Sequence, residues 1–214
     1  MTAHVRSVTT GVAAPLAVGD TVKSSGIDKT PVGGRVDVGP VGLDGDEQAD
    51  RRVHGGPDKA VYAYAADSYD WWSGELGRDL APGTFGENLV VEGIDVDHAE
   101  LGAVWRLGSA TVRVRGPRVP CDKLAARMGD RDFRRRFAQA GRPGAYLAVD
   151  EPGDVGVGDA VEVVSTPGHG VTVADAAAAY HGDPEQVARV VADDVRAHLP
   201  DDLAQRLQRA ADRQ

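Results

Sequence analysis

The chain contains one cysteine, Cys121, and the residues around it are Pro117–Arg118–Val119–Pro120–Cys121–Asp122–Lys123–Leu124. Proline locks φ, so Pro117 and Pro120 stiffen the turn that presents Cys121. Arg118 and Lys123 are near in sequence, and neighbouring cations favour the thiolate, the nucleophilic and metal-binding form of the side chain. Between Arg113 and Arg136 nine Lys/Arg stand against three Asp, a basic stretch in a chain whose net charge is −9. An inert buried cysteine is the competing reading, and a proline-bounded, cation-flanked loop is a poor place for one. With no second cysteine, neither a disulfide framework nor a two-cysteine shuttle can form within the chain. Covalent catalysis, carriage of a persulfide and ligation of a soft metal stay open. A single thiolate makes a poor zinc site. A metal that arrives on an organic cofactor needs only one protein ligand, because the protein grips the cofactor elsewhere.

A second stretch could do that gripping. It runs from Gly42–Leu43–Asp44–Gly45–Asp46–Glu47–Gln48 to His54–Gly55–Gly56–Pro57–Asp58–Lys59. Glycines let backbone N–H groups approach an anion or a flat heterocycle closely. His54, Asp58 and Lys59 would add hydrogen bonds of both polarities. A decorated loop is the plainer reading. Gly86–Glu87–Asn88, just before an apolar run, has the same character. Other signatures are absent: no dinucleotide fingerprint or Walker loop, no histidine pair at zinc spacing among the six histidines, and no nucleophile-elbow serine.

The elements that must position these residues are short. Val32–Val38, Lys59–Tyr64, Asn88–Val91, Val104–Leu107, Thr111–Arg115, Ala145–Asp150 and Ala160–Val164 are rich in Val and separated by Gly, Pro or Asp, which predicts strands. Thr111–Arg115 alternates valine with arginine, and Trp105–Val114 reads as a hairpin turning at Gly108–Ser109. Helices are predicted from Asp67 through Tyr69, Trp72, Leu76 and Leu80, and over Asp130–Ala140. Many short strands and 27 glycines point to a mainly β protein, a barrel or a sandwich.

After Pro167 the pattern becomes helical. Thr172 and Asp175 form a capping-box pair, Asp183–Pro184 starts a second helix, and apolar stripes follow at Val187, Val190, Val191, Val195 and Leu199, then at Leu203, Leu207 and Ala210. The expected division is a barrel domain over 1–168 and a small three-helix extension over 169–214. That extension has eight acidic residues against five arginines, the wrong sign for a DNA reader, and the acidic chain as a whole argues against nucleic acid. Its stripes would pack against the barrel or against a second copy in a homodimer. No apolar run reaches the length of a membrane span and Met1–Pro15 lacks a signal-peptide core, so no membrane partner and a reducing cytoplasm are expected.

Taken together, Gly42–Leu43–Asp44–Gly45–Asp46, Gln48, His54–Gly55–Gly56, Asp58, Ala60 and Tyr64, then Gly86–Glu87–Asn88–Leu89, then Pro117–Arg118, Pro120–Cys121 and Lys123–Leu124 resemble the MOSC-domain family, named after the C-terminal domain of molybdenum cofactor sulfurases. The helical tail from Val171 resembles that of the stand-alone bacterial YiiM-type branch. The resemblance spans about residues 30 to 205. It implies a MOSC-type β-barrel with a cleft, and a molybdenum cofactor whose metal is ligated by the motif cysteine, here Cys121. It also implies reduction of N-hydroxylated compounds, such as N-hydroxylated purine bases. On that footing His54, Gly55, Gly56, Asp58 and Lys59 would belong to the cofactor or substrate cleft. Glu87, Asn88, Arg118 and Lys123 would line it too, with the cations toward the cofactor's phosphate. Asp122 follows the cysteine where relatives can carry an aromatic, and an inward carboxylate would oppose the cations.

Two other readings compete. Cys121 could carry the molybdenum cofactor or a persulfide sulfur for delivery elsewhere without catalysis, or the chain could be a scaffold in which Cys121 is incidental. The sequence has no flavin or iron–sulfur motif, so a reductase would need an external electron-donor protein.

Overall fold

The structure is a computed structural model that describes residues 2–49 and 55–213. In chain order the strands before the first helix are β1 (His4–Thr10), β2 (Ala14–Val18), β3 (Thr21–Ser25), β4 (Thr30–Pro31), β5 (Arg35–Gly39), β6 (Gly42–Leu43) and β7 (Val61–Ala65), the last preceded by a 3-10 turn, Pro57–Lys59. Helix α1 (Ala66–Leu76) leads to β8 (Leu89–Glu92), β9 (Val104–Leu107) and β10 (Ala110–Pro117). Helices α2 (Asp122–Met128) and α3 (Phe133–Gln139) follow, then β11 (Ala145–Glu151), β12 (Gly153–Gly156) and β13 (Val161–Ser165). The tail is α4 (Val173–Tyr180), α5 (Pro184–Val190), α6 (Asp193–Arg196) and α7 (Asp201–Ala211).

Among the described residues the main sheet has eight strands in the order β13-β9-β10-β11-β7-β8-β1-β4. Its neighbours are antiparallel except β7 and β8, which are parallel and joined through α1. Parallel neighbours need a crossover of this kind. The β9–β10 hairpin forms as expected: Leu107 faces Ala110 across Gly108–Ser109, and Gly108 has φ +59°. The arginine side of β10 is half-buried, while Val112 and Val114 are fully buried.

Strand β7 is buried along its whole length because both faces are covered. Val61, Ala63 and Ala65 join the main apolar core with Leu89, Val112, Val114 and Leu147. Tyr62 and Tyr64 point the other way, into an aromatic layer with Tyr69, Trp72, Phe85, Phe133 and Phe137 from α1, α3 and the loop between α1 and β8. The period-2 alternation of a strand thus distributes one segment between two cores.

Three expectations need correction. The barrel is not closed as a continuous ladder, since β13 and β4 are sheet edges. The sheet curls until a bridge between His4 and Ala160 and backbone bonds from Val5, Gly158 and Val161 stitch β1 to the segment before β13. With 32% strand and 28% helix, the sheet is mixed with several helices and the mainly β expectation holds only roughly. The tail contains four helical segments, because the stripe from Val187 to Leu199 breaks between α5 and α6 around Val191–Ala192. Helix α1 stops at Gly77, φ +63°, short of Leu80.

The tail's start is as the sequence indicates. Thr172 and Asp175 make a reciprocal capping box, and the Asp183 carboxylate accepts from the N–H groups of Glu185 and Gln186. The buried side chains of α4 to α7, among them Val173, Ala176, Val187, Val195 and Leu207, lie in the same apolar cluster as the sheet core. No helix among the described residues is long and apolar enough to cross a membrane.

Candidate functional site

Several loops meet at one end of the main sheet. Strand β10 ends at Pro117, and Arg118–Cys121 crosses to α2, where Cys121 occupies the N-cap position with extended backbone (φ −123°, ψ 171°) and its carbonyl accepts from Leu124 and Ala125. The segment after β3 brings Ile27 and Lys29, and the segment after β6 brings Asp46 and Gln48. Together with Tyr62 on β7 and Tyr146 on β11 they enclose a cleft of about 90 Å3 that Cys121 also lines. Cys121 itself is partly exposed.

Arg118 dominates the electrostatics of this cleft. The residue is 6% exposed. Its guanidinium carbon lies 5.7 Å from the Tyr62 ring centroid and 5.6 Å from that of Phe137, a cation–π setting. Burial works against its charge, but Tyr62 and the Cys121 sulfur work for it and keep its pKa above the ordinary arginine value. Arg118 Nη1 is buried and has no hydrogen-bond partner among the described residues. An unmet buried donor is costly in a folded protein, and because Arg118 lines the cleft, an acceptor brought in there could satisfy it.

The opposite wall is held by a buried ion pair between Lys29 and Asp46. Asp46 also accepts from the Gly11 N–H at 2.9 Å and from Asn88 Nδ2 at 2.9 Å. Burial lowers the Lys29 pKa, and the Asp46 charge opposes that shift. Tyr146 is pushed above the usual phenol range by burial, so its hydroxyl stays protonated at neutral pH.

The sequence-indicated residues fall into distinct positions. Cys121, Lys59, Asn88, Arg118 and Lys123 are brought together on the cleft wall. Lys123 Nζ donates to the Ser24 carbonyl at 2.8 Å, fastening the β2–β3 hairpin over the cleft. Asn88 accepts from the Tyr62 N–H at 3.0 Å, which sets the start of β7. Lys59 is ion-paired with Asp202 of α7 at 2.9 Å. Gly56 is bound back to the Gln48 side chain at 2.8 Å, and it and Gly55 lie in the approach to the 3-10 turn and not on the wall. His54 lies outside the described residues.

Glu87 and Asp58 are placed elsewhere. Glu87 is fully buried, and its carboxylate takes hydrogen bonds from Tyr69 Oη and from the N–H groups of Gly83 and Phe85, so it organises the loop behind the cleft. Its pKa is raised by burial, with those donors opposing the shift. Asp58 turns away to Arg115, whose Nε donates to it at 2.7 Å. Asp122 is exposed and bonded to Arg134 at 2.6 Å, so its carboxylate does not enter the cleft. The first residue of the Gly86–Glu87–Asn88 motif has a steric reason: Gly86 has φ +76°, and a Cβ there would come within 2.7 Å of Ile27.

Sequence reasoning missed Lys29, Tyr62 and Tyr146 as cleft residues. Lys29 stands alone in an otherwise unremarkable segment, and only the acceptor Asp46, 17 residues further on in a glycine-rich loop, hinted at a buried partner. Tyr62 had a signal, since Tyr62 and Tyr64 alternate along one strand and such a pair faces a covered layer, whereas Tyr146 has no such neighbour on its strand.

Among the described residues no three His, Cys, Asp or Glu side chains converge on a common point. A metal here would therefore take Cys121 as its protein ligand and bring its other donors with it. Arg118, Lys29 and Lys123 suit an anionic, acceptor-rich group.

Residues 50–162 match the model of the MOSC domain. The chain is 40% identical over 149 residues to the uncharacterized protein YflK of Bacillus subtilis, covering 70% of this chain and 67% of that one. It is 37% identical over 164 residues to protein YiiM of Escherichia coli, covering 74% and 72%. A protein named Reductase from Gibberella moniliformis is 31% identical over 148 residues, which is 67% of this chain and 26% of that one. In structure the chain resembles YiiM from Geobacillus stearothermophilus (TM-score 0.79, 27% identity, 98% and 99% covered) and YiiM from Escherichia coli (TM-score 0.75, 28% identity, 99% and 92% covered). The chain belongs to the MOSC-domain family, in its YiiM-type branch.

Proposed function

We propose that the chain is a molybdenum-cofactor-dependent oxidoreductase that reduces N-hydroxylated compounds, N-hydroxylated purine bases among them, with Cys121 as the protein ligand to molybdenum. The observation that carries this reading is the pairing of Cys121 with the buried, partly unsatisfied Arg118 on one small cleft. When bound, the cofactor supplies a centre that accepts an oxygen atom with a two-electron change. The chain's own residues then have separable tasks. Cys121 anchors the metal. Arg118 and Lys123 offer donors and positive charge to the cofactor's acceptors and phosphate. Lys29, held by Asp46, adds a cation whose charge burial opposes. Tyr146, protonated at neutral pH, can give a hydrogen bond at the cleft wall.

The name Reductase carried by the Gibberella relative supports an oxidoreductase. Electrons would come from a separate donor protein. The test is turnover: cofactor-loaded protein supplied with a chemical reductant should convert N-hydroxylated adenine to adenine, with activity following molybdenum content. Molybdenum-loaded protein that converts no N-hydroxylated substrate would reject the reductase and leave a carrier of the cofactor.

A further inference from the structure

Beside the cleft lies a second concavity, a groove of about 310 Å3 between the exit of β10 and the helical tail. Its sheet side is formed by Val119 and Tyr146, and its tail side by Tyr180 at the end of α4 and by Leu203, Arg206 and Arg209 of α7. Tyr146 and Lys59 belong to both the groove and the cleft, so the two spaces share a wall.

The groove combines flat apolar bodies with excess positive charge. The Tyr146 ring packs against Tyr62 at 5.2 Å between centroids and turns its remaining surface to the groove. The Arg206 guanidinium carbon lies over the Tyr180 ring, 4.0 Å from its centroid. Arg209, one helical turn further, projects from the same face of α7. The groove's carboxylate, Asp202, is ion-paired with Lys59. The two arginines are then left to set the sign of the groove.

We infer that this groove holds the far end of the substrate: a flat aromatic heterocycle against Tyr146 with a phosphate monoester at Arg206 and Arg209, which makes the substrate class a nucleoside monophosphate rather than a bare base. The inference rests on the reading of the cleft as the reaction site. A ring seated on Tyr146 reaches the edge the groove shares with the cleft. Planar guanidinium groups recognise phosphate through paired N–H donors, and the aromatic wall supplies area without charge selectivity. The tail would then select the substrate as well as complete the apolar core.

The test is equilibrium binding by calorimetry to the full chain, both cofactor-free and cofactor-loaded, using adenosine 5′-monophosphate and adenosine as probes. The monophosphate is expected to bind at least tenfold more tightly than adenosine in both forms. The double variant Arg206→Gln/Arg209→Gln should abolish that preference and leave adenosine binding unchanged. Arg206→Lys/Arg209→Lys should keep most of the preference. Equal affinities, no binding, or a preference that survives in the glutamine variant would overturn the inference. Loss of monophosphate binding on cofactor loading would also overturn it, by assigning the groove to the cofactor's own phosphate. Because the cofactor-free arm needs no turnover and no metal, its outcome is separate from that of the reductase reading.

Discussion

Arg115 Nε donates to Asp58 Oδ1 at 2.7 Å, and Arg115 Nη2 donates to the Leu199 carbonyl at 2.9 Å. One side chain of β10 therefore ties the turn before β7 to the loop before α7. Asp58 is a tether between sheet and tail, not a wall of the cleft. Its side chain is 42% exposed, which limits the value of the pair to about 1 kcal/mol. Asp58→Asn should lower the melting temperature by about 2–4 °C and leave molybdenum content per folded chain unchanged. Unchanged stability with loss of metal would return Asp58 to the cofactor.

Arg118 predicts the opposite split. Its guanidinium rests between two aromatic rings with Nη1 unmet, so an unbranched apolar replacement removes a buried charge without stranding a carboxylate. Arg118→Met should fold with a melting temperature at or above that of the wild type, while its molybdenum content falls at least tenfold. A variant that unfolds but loads metal normally whenever it is folded would make Arg118 a packing residue. Thermal scans beside metal analysis check both.

Glu87 gives a pH dependence with a definite sign. Burial raises its pKa in the folded chain above the ordinary value of 4.5, so the folded state holds the proton over a window where the unfolded state has released it. The stability this contributes is fully present below 4.5 and is lost as pH rises through the folded value. Glu87→Gln keeps one acceptor oxygen but turns an amide donor toward the Phe85 or Gly83 N–H, a cost of about 2 kcal/mol. Denaturant titrations should therefore show the wild type's advantage over Glu87→Gln largest near pH 4.5 and shrinking toward pH 8. An advantage that grows with pH would mean that the buried group is ionised throughout.

The parts of this fold that were legible in the sequence are those in which one local rule acts without competition. The β9–β10 hairpin follows from alternating valines and a Gly–Ser turn, and the start of α4 follows from the Thr172–Asp175 capping box. The hairpin of β2 and β3 escaped because its residues are mostly exposed, so no hydrophobic alternation marks it, even though Gly19–Asp20 stands at its turn. The break between α5 and α6 was invisible because the apolar spacing continues across it. In the site, residue types announced Cys121, Arg118 and Lys123. They could not say that Glu87 and Asp58 face away, since a carboxylate in a polar loop reads alike whether it serves a ligand or a neighbouring backbone. The open edges of the sheet are likewise a matter of long-range pairing, which short strand signals do not carry.

In the proposed function Cys121 fastens a molybdenum centre in the cleft beside Arg118. The direct measurement is molybdenum per chain after anaerobic purification from molybdenum-replete cells, for the wild type and for Cys121→Ser of matched melting temperature. Close to one molybdenum per wild-type chain is predicted, with at least a tenfold loss in the variant. Equal molybdenum in the two proteins, whether full or negligible, would contradict the assignment of this sulfur as the metal's ligand.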